Sequence, residues 1–369
     1  TAIRCPVCHG SDIRLRGTSD RDFRLPSIGC RKTVLRFSVQ RVECLACGVV
    51  RQEHLSFARP YKRYTRSFAR YVIELSRIGT VKDVAKHIGV SWDLVREIQE
   101  RNLKRTLGAI DFTELRYVGI DEFAVGKGRR YVTVVLDMES GAVLHVADGK
   151  SADSVKPFLK KMKRAGAAIK AFVTDMGRAF PAAVTDVFHD VDLVYDRFHV
   201  VKLMNEKLTD LRREMQREST ELLHKDTLKG TRWLLLKNPE NLKTDKGEWD
   251  RLQEALALNR PLALAYYMKE DLRRFWDFTD AEQAERHLDI WIRRAERSGI
   301  AVIKTMGRTL RINKLGLLNW YKHRISNAPL EGFNNKAQTM KRQAYGYRNM
   351  EFFKLKLMTL HNKKYALTG

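Results

Sequence analysis

Two groups of residues have the types and spacing to do chemistry. The first is a set of cysteines. CPVC supplies Cys5 and Cys8, CLAC supplies Cys44 and Cys47, and 35 residues lie between the two pairs. A two-residue gap lets both thiolates of a pair reach one ion, and two pairs complete a tetrahedral S₄ site for one Zn²⁺. Disulfides are the alternative; the odd total of five cysteines and the CxxC pairing favour zinc. Four thiolates leave no open coordination position, so the site is structural. His9 is a weaker candidate ligand, and the spare Cys30 is expected to be buried and structural. The second group is three acids: Asp121 at the end of RYVGIDEF, Asp175 at the end of AIKAFVTD, and Glu331 in SNAPLEGFNNKAQTMKRQ. Glu331 is the sole carboxylate between Glu296 and Glu351 in a basic tail. It is either an ion-pair partner or a metal ligand beside a polyanion.

The elements around these acids decide which. Ser326 or Asn327 can cap a helix whose first turn accepts Pro329. Leu330, Phe333, Ala337 and Met340 make its apolar stripe, and Asn327, Glu331, Asn334, Gln338 and Arg342 a polar one. From Leu115 the hydrophobic period is two. RYVGIDEF, RRYVTVVLDM and AVLHVADG read as an antiparallel meander. A helix over 151–164, a strand over 168–177, a short helix near Pro181 and a strand in DLVYDRFHV follow. The order βββαβαβα is that of an RNase H-like α/β core. In that fold the first and fourth strands are neighbours, so Asp121 and Asp175 meet at one edge of the sheet. With Glu331 they form three hard oxygen ligands, the set that two Mg²⁺ (or Mn²⁺) ions need for in-line phosphoryl transfer. Each acid has a plainer reading. Asp121 is a turn acid, with Glu122 beside it on the opposite face of the strand; Asp175 caps a turn with Gly177.

The rest of the chain points to a polyanionic partner. Lys plus Arg number 69 against 44 Asp plus Glu, giving a net charge of +25. No apolar run approaches the ~18 residues of a membrane span, so nucleic acid is the expected partner and membrane is not. No signal pattern opens the sequence, and a cytoplasmic, nucleoid-associated protein is expected. Residues 65–76 and 80–105 carry helical patterns. Gly89 ends one helix, Val90 plugs the angle and Ser91 caps the next, as in a helix-turn-helix. Trp92, Asp93, Arg96 and Gln99 are expected on the exposed face of its second helix, with Arg63 and Arg66 adjoining as DNA contacts. An ordinary helical hairpin is the alternative. Residues 202–297 are helical almost throughout and contain Trp233, Trp249, Trp276 and Trp291, most of them expected in the core. Lys341 and Arg342 lie at a basic, aromatic-rich helix end suited to DNA.

These segments together resemble the DDE transposases of the bacterial ISL-three insertion-sequence family over nearly the whole chain. The matching residues are YVGIDEFAVGKGRRYVTVVLD, FVTDMGRAFPAAV, YDRFHVVKLMNEK and ISNAPLEGFNNKAQTMKRQAYGYRN. The resemblance implies that Asp121, Asp175 and Glu331 are the catalytic triad. It places Asp196 and His199 of DRFH near the site, a satisfied core pair being the equal alternative; Asn327 and Asn334 are further supporting residues. It implies five segments: a zinc ribbon at 1–55, a helix-turn-helix at 56–110, a first part of the catalytic core at 111–205, a helical insertion at 206–320, and final core helices at 321–369. It also implies an enzyme that binds the terminal inverted repeats of its element, hydrolyses a strand to free a 3′-OH, and transfers that end into target DNA. Synapsis of two ends implies a dimer or larger assembly on DNA. A structure-specific nuclease on the same fold and a non-catalytic DNA-binding regulator are the alternatives.

Overall fold

The computed structural model describes residues 3–108, 110–126, 130–195, 197–218, 228, 231–257, 259–325 and 328–360. The chain divides into two units, Thr1–Ala109 with Asn334–Gly369, and Ile110–Phe333. Among the described residues no helix is long and apolar enough to cross a membrane.

The first unit begins with an antiparallel sheet of β1 (Ile13–Arg24), β2 (Val34–Cys44) and β3 (Val50–Gln52), in that order. The alternation in 31–44 marks β2. Nothing comparable marks β1, which is mostly exposed and has a register shift between Leu15 and Thr18. Its pairing with β2 makes it a strand. Three helices follow: α1 (Arg66–Leu75), α2 (Val81–Ile88) and α3 (Trp92–Thr106). Thr80 and Asp83 form a reciprocal capping box at the start of α2. Gly89 ends it at φ 67°, a left-handed conformation that favours glycine, and Ser91 Oγ accepts the Leu94 N–H to start α3. Phe68, Val72, Val84, Ile88, Val95 and Ile98 close the core between these helices. Arg24, at the end of β1 and 8% exposed, ties sheet to helices. It donates to Thr33 O and Ile88 O, 3.0 Å each, and lies over the Phe68 ring.

The second unit is built on five strands: β4 (Tyr117–Ala124), β5 (Tyr131–Asp137), β6 (Val143–Asp148), β7 (Ala171–Thr174) and β8 (Asp192–Tyr195). Their order is β6-β5-β4-β7-β8. The first three are antiparallel, and β7 and β8 run parallel to β4. This is the RNase H-like arrangement. On one face α4 (Ala152–Arg164) and α5 (Ala179–Val187) bury Val155, Leu159, Met162, Phe180 and Val184 against Val118, Ile120 and Phe172.

A helical body with its own core follows: α6 (Arg197–Glu218), α7 (Arg232–Leu236), α8 (Glu248–Ala257), α9 (Arg260–Arg273), α10 (Ala281–Arg297), α11 (Ala301–Ile312) and α12 (Lys314–His323). Trp276 and Trp291 belong to that core, and the Trp291 indole N–H donates to Met268 O. Trp233 and Trp249 do not: they are 65% and 42% exposed. Helix α12 docks on β8, where Asn319 donates to Leu193 O and Lys322 and His323 both meet Asp192 Oδ2. Helix α13 (Ala328–Gln343) carries Glu331 in its first turn.

Candidate active site, zinc centre and DNA-facing surface

The two cysteine turns are built alike. The Cys5 carbonyl accepts the His9 N–H and the Cys44 carbonyl accepts the Gly48 N–H; His9 and Gly48 both have positive φ. The turns bring Cys5 Sγ to 3.7 Å from Cys47 Sγ and Cys8 Sγ to 3.5 Å from Cys44 Sγ, and all four sulfurs lie within 4.8 Å of one another. Zn–S bonds of ~2.3 Å at tetrahedral angles give S–S separations of ~3.8 Å, so the four thiolates fit one zinc ion. N–H groups of Cys8 and Val7 directed at Cys5 lower its thiol pKa, while the thiols of Cys8 and Cys47 are raised by their crowding against the other sulfurs, so the four share charge unequally until an ion is bound. His9 is outside this set. Cys30 is exposed, contrary to the expectation of burial: it lies in the turn between β1 and β2, where no core covers it.

On α3, Trp92 is 53% exposed, and the Arg96 guanidinium stands 4.9 Å over its ring, held by Asp93 and Glu100. Arg63 and Arg66 are exposed, as is Arg342; Lys341 is half-buried. Gln99 is not on the exposed face. It is 3% exposed and donates to Ser76 Oγ at 2.8 Å, because its position on α3 turns it toward α1 beside Ile98.

The acids are positioned by strand parity. On β4, Val118 and Ile120 face α4 and α5. Gly119 therefore faces the other way, and a Cβ built on it would overlap the Met138 sulfur and come within 3.0 Å of Leu330 Cδ1. The missing side chain lets Leu330, next to Glu331, seat directly on β4. Asp121 shares the parity of Gly119 and so lies on the α13 side of the sheet. Gly119 pairs in register with Val173 of parallel β7; two residues further along the chain come Asp121, three residues before the end of β4 and not at its end as expected, and Asp175, one residue past the end of β7. Val173, Val194, Tyr195, Arg324 and Glu331 border one cavity of about 490 Å³ at this end of the sheet. Burial raises the Tyr195 phenol pKa, and the Asp175 carboxylate adds to the rise.

Asp175 Oδ1 accepts the Gly177 N–H at 3.1 Å, the turn-capping bond expected of it; of the three acids, Glu331 is the one that borders the cavity. Asp121 Oδ1 accepts the Glu122 N–H at 2.7 Å. Glu122 has its own pKa raised by burial and by Asp175 and Asp121, against Lys150 at 4.0 Å. Among the described residues, only the four cysteines bring three or more ligand atoms within 4.8 Å of one another, so the three acids stand wider apart than a one-ion set. His199 is half-buried beside Phe198, and Asn334 is half-buried on α13. Asp196 and Asn327, with the proposed cap Ser326, lie outside the described residues. Sequence reasoning overlooked Tyr195 and the Gly119–Leu330 contact; a lone glycine inside a strand pattern was the available signal.

Comparison with known proteins identifies the family. The transposase family model for the DDE domain of the ISL3 group matches residues 118–357, well over half the chain. Models described as the helix-turn-helix domain of transposase family ISL3 and the zinc-finger of transposase IS204/IS1001/IS1096/IS1165 match residues 53–101 and 1–47. The transposase for insertion sequence element IS1001 of Bordetella parapertussis is 32% identical, covering 96% of this chain and 87% of that one. The transposase for IS1557 of Mycobacterium tuberculosis is 26% identical, covering 96% and 84%. The Drosophila P element transposase strand transfer complex aligns over 80% of this chain and 92% of that chain at 12% identity and a TM-score of 0.37, too distant to carry an argument. The chain belongs to the ISL3 family of insertion-sequence transposases.

Proposed function

We propose that this transposase cuts and joins DNA at the ends of its own element, with Asp121, Asp175 and Glu331 as its catalytic acids. The observation that carries the reading is geometric. Asp121 in β4 and Asp175 just past the end of neighbouring parallel β7 each follow the registered pair Gly119–Val173 by two residues, and Glu331 follows the leucine that seats α13 on the Gly119 face. The three carboxylates are hard oxygen donors suited to Mg²⁺ or Mn²⁺, the donor type that two-ion phosphoryl transfer uses. Bound there, the ions would activate the attacking oxygen and stabilise the departing 3′ oxygen. The protein residues hold the acids in place: the Gly177 N–H orients Asp175, the Glu122 N–H orients Asp121, and Leu330 fixes the first turn of α13. Strand hydrolysis frees a 3′-OH, which then attacks target DNA in one transesterification without a covalent protein intermediate.

The ribbon (1–55) and helix-turn-helix (56–110) bind the terminal inverted repeats, Trp92 and Arg96 toward the groove and Arg63, Arg66, Lys341 and Arg342 toward phosphates. Residues 111–205 and 321–369 supply the catalytic core, with His199 and Asn334 in support, and 206–320 form the insertion. A dimer or larger assembly of such chains synapses the two ends. The test is cleavage of DNA carrying the element's own ends in Mg²⁺ or Mn²⁺, wild type beside Glu331→Gln. Nicks with free 3′-OH at the ends in wild type only, with end binding retained in the variant, are expected. Cleavage that survives Glu331→Gln would remove this acid from the site. Specific binding without cleavage by either protein would favour a regulator.

A further inference from the structure

The ribbon binds DNA in the reading above, but none of its own residues is yet assigned to that contact. Phe23, Val39 and Ala58 form a buried apolar floor on one side of the β1–β2–β3 sheet. A cavity of about 730 Å³ opens beside it, bounded by the sheet and by the segment leading from β3 to α1. Its border is strongly cationic. Two of the cations are neutralised within the fold: Arg16 by Glu43 at 2.5 Å and Lys62 by Glu97 at 2.6 Å. Four are not. Among the described residues, no carboxylate pairs with Arg21, Arg41, Arg51 or Arg59. The acid at the border, Glu53, is engaged by the Gln40 N–H at 2.7 Å.

A second observation comes from the backbone. Tyr61, on the same border, is 82% exposed and held at φ 61°. Bulky residues rarely adopt that conformation, and such strain persists where a displayed side chain has a use. Its neighbours are Arg59, Pro60, Lys62 and Arg63.

We propose that this face of the ribbon is a track for the phosphate backbone of a DNA duplex, with Tyr61 packing against the sugar or base edge beside it. The spacing selects a polyanion over a single anion. Arg21 lies opposite Phe37, and Arg41 is four residues further along β2, a separation of about 13 Å at ~3.3 Å per residue. No single phosphate spans that distance; a phosphodiester chain does. Backbone contacts of this kind set register and affinity without reading sequence, which leaves discrimination to α3. The inference rests on the reading that the chain binds its element's ends.

The experiment uses the full zinc-loaded chain, with a duplex of the element's own end and a scrambled duplex of equal length. Fluorescence anisotropy gives affinity across a salt series. For the variant Arg41→Gln/Arg51→Gln/Arg59→Gln, the slope of log affinity against log salt should fall by about 2.7, about 0.9 for each phosphate that is no longer neutralised, on both duplexes alike. Tyr61→Ala should weaken binding at every salt concentration and leave the slope unchanged, because it removes no charge. Zinc content and melting temperature should match wild type, since all four side chains are on the surface. A variant that keeps the wild-type slope overturns the track while the end-binding reading stands. A slope that falls on the cognate duplex alone also overturns it, by assigning the face to base readout. Wild type that binds neither duplex overturns the end-binding reading and the track with it.

Discussion

Gly119→Ala tests the link between the sheet and Glu331. Gly119 sits in the middle of β4, in extended backbone that alanine adopts freely. With open space above it, the substitution would stabilise the protein by about 0.4–1 kcal/mol through the unfolded state. The structure reverses the sign. The added methyl overlaps the Met138 sulfur and comes to 3.0 Å from Leu330 Cδ1 and 3.2 Å from Leu330 Cγ. Carbon contacts are comfortable at ~3.5–4.0 Å, so Leu330 has to retreat by about 0.5–1 Å. Met138 and Leu330 are 6% and 3% exposed, which leaves little room to yield. Overpacking of this kind costs about 1–3 kcal/mol. For a unit of this size that is a fall in melting temperature of about 2–12 °C. The functional loss should be larger than the stability loss. Glu331 is next to Leu330, and a ~1 Å misplacement of a reacting group can lower a rate about 100-fold. The assay pairs a thermal melt with nicking of element-end DNA at a temperature where wild type and variant are both folded. A second variant, Gly119→Ala with Met138→Ala, should recover part of the nicking by making room for the methyl while keeping Leu330 in place. If Gly119→Ala melts and nicks as wild type does, the Leu330 contact does not set the position of Glu331 and the reasoning fails.

Removal of zinc by a strong chelator should release one ion per chain and abolish end binding, and Cys44→Ser should do the same, because this small sheet has little apolar core beyond Phe23, Val39 and Ala58; a colorimetric zinc assay with anisotropy reads both. Gln99→Ala should lower stability by about 1 kcal/mol by removing the buried bond to Ser76, yet keep the preference for cognate over scrambled DNA, whereas Trp92→Ala should weaken DNA binding without lowering the melting temperature. Asp192→Asn should loosen the docking of α12 on β8 by about 1 kcal/mol, a value reduced for partial exposure. The hydrogen bond from Lys322, aided by His323, holds the Asp192 carboxyl below its ordinary value. Its stabilisation is therefore full above the unfolded pKa of about 3.9 and lost as pH falls through the lower folded one. Thermal melts should show a gap between wild type and Asp192→Asn at about pH 5 that closes on further acidification.

Local physics alone made much of this protein legible. CxxC spacing fixes four thiolates in two turns before any fold exists, and Thr80, Gly89 and Ser91 start and stop α2 and α3 by bonds within a few residues. Period-two runs marked β4, β5 and β6, and the element order implied the β6-β5-β4-β7-β8 sheet. The fold was needed wherever the answer depended on distant partners. Strand β1 has no apolar alternation and exists through pairing with β2. Gln99 read as a surface residue until Ser76, 23 residues away, claimed its amide. Cys30, expected inside, is outside because no element covers its turn. The sequence left two adjacent acids, Asp121 and Glu122, on opposite faces of one strand, with nothing local to choose between them. The side on which α13 packs favours Asp121, and that side is set by Leu330 reaching a glycine more than two hundred residues earlier in the chain.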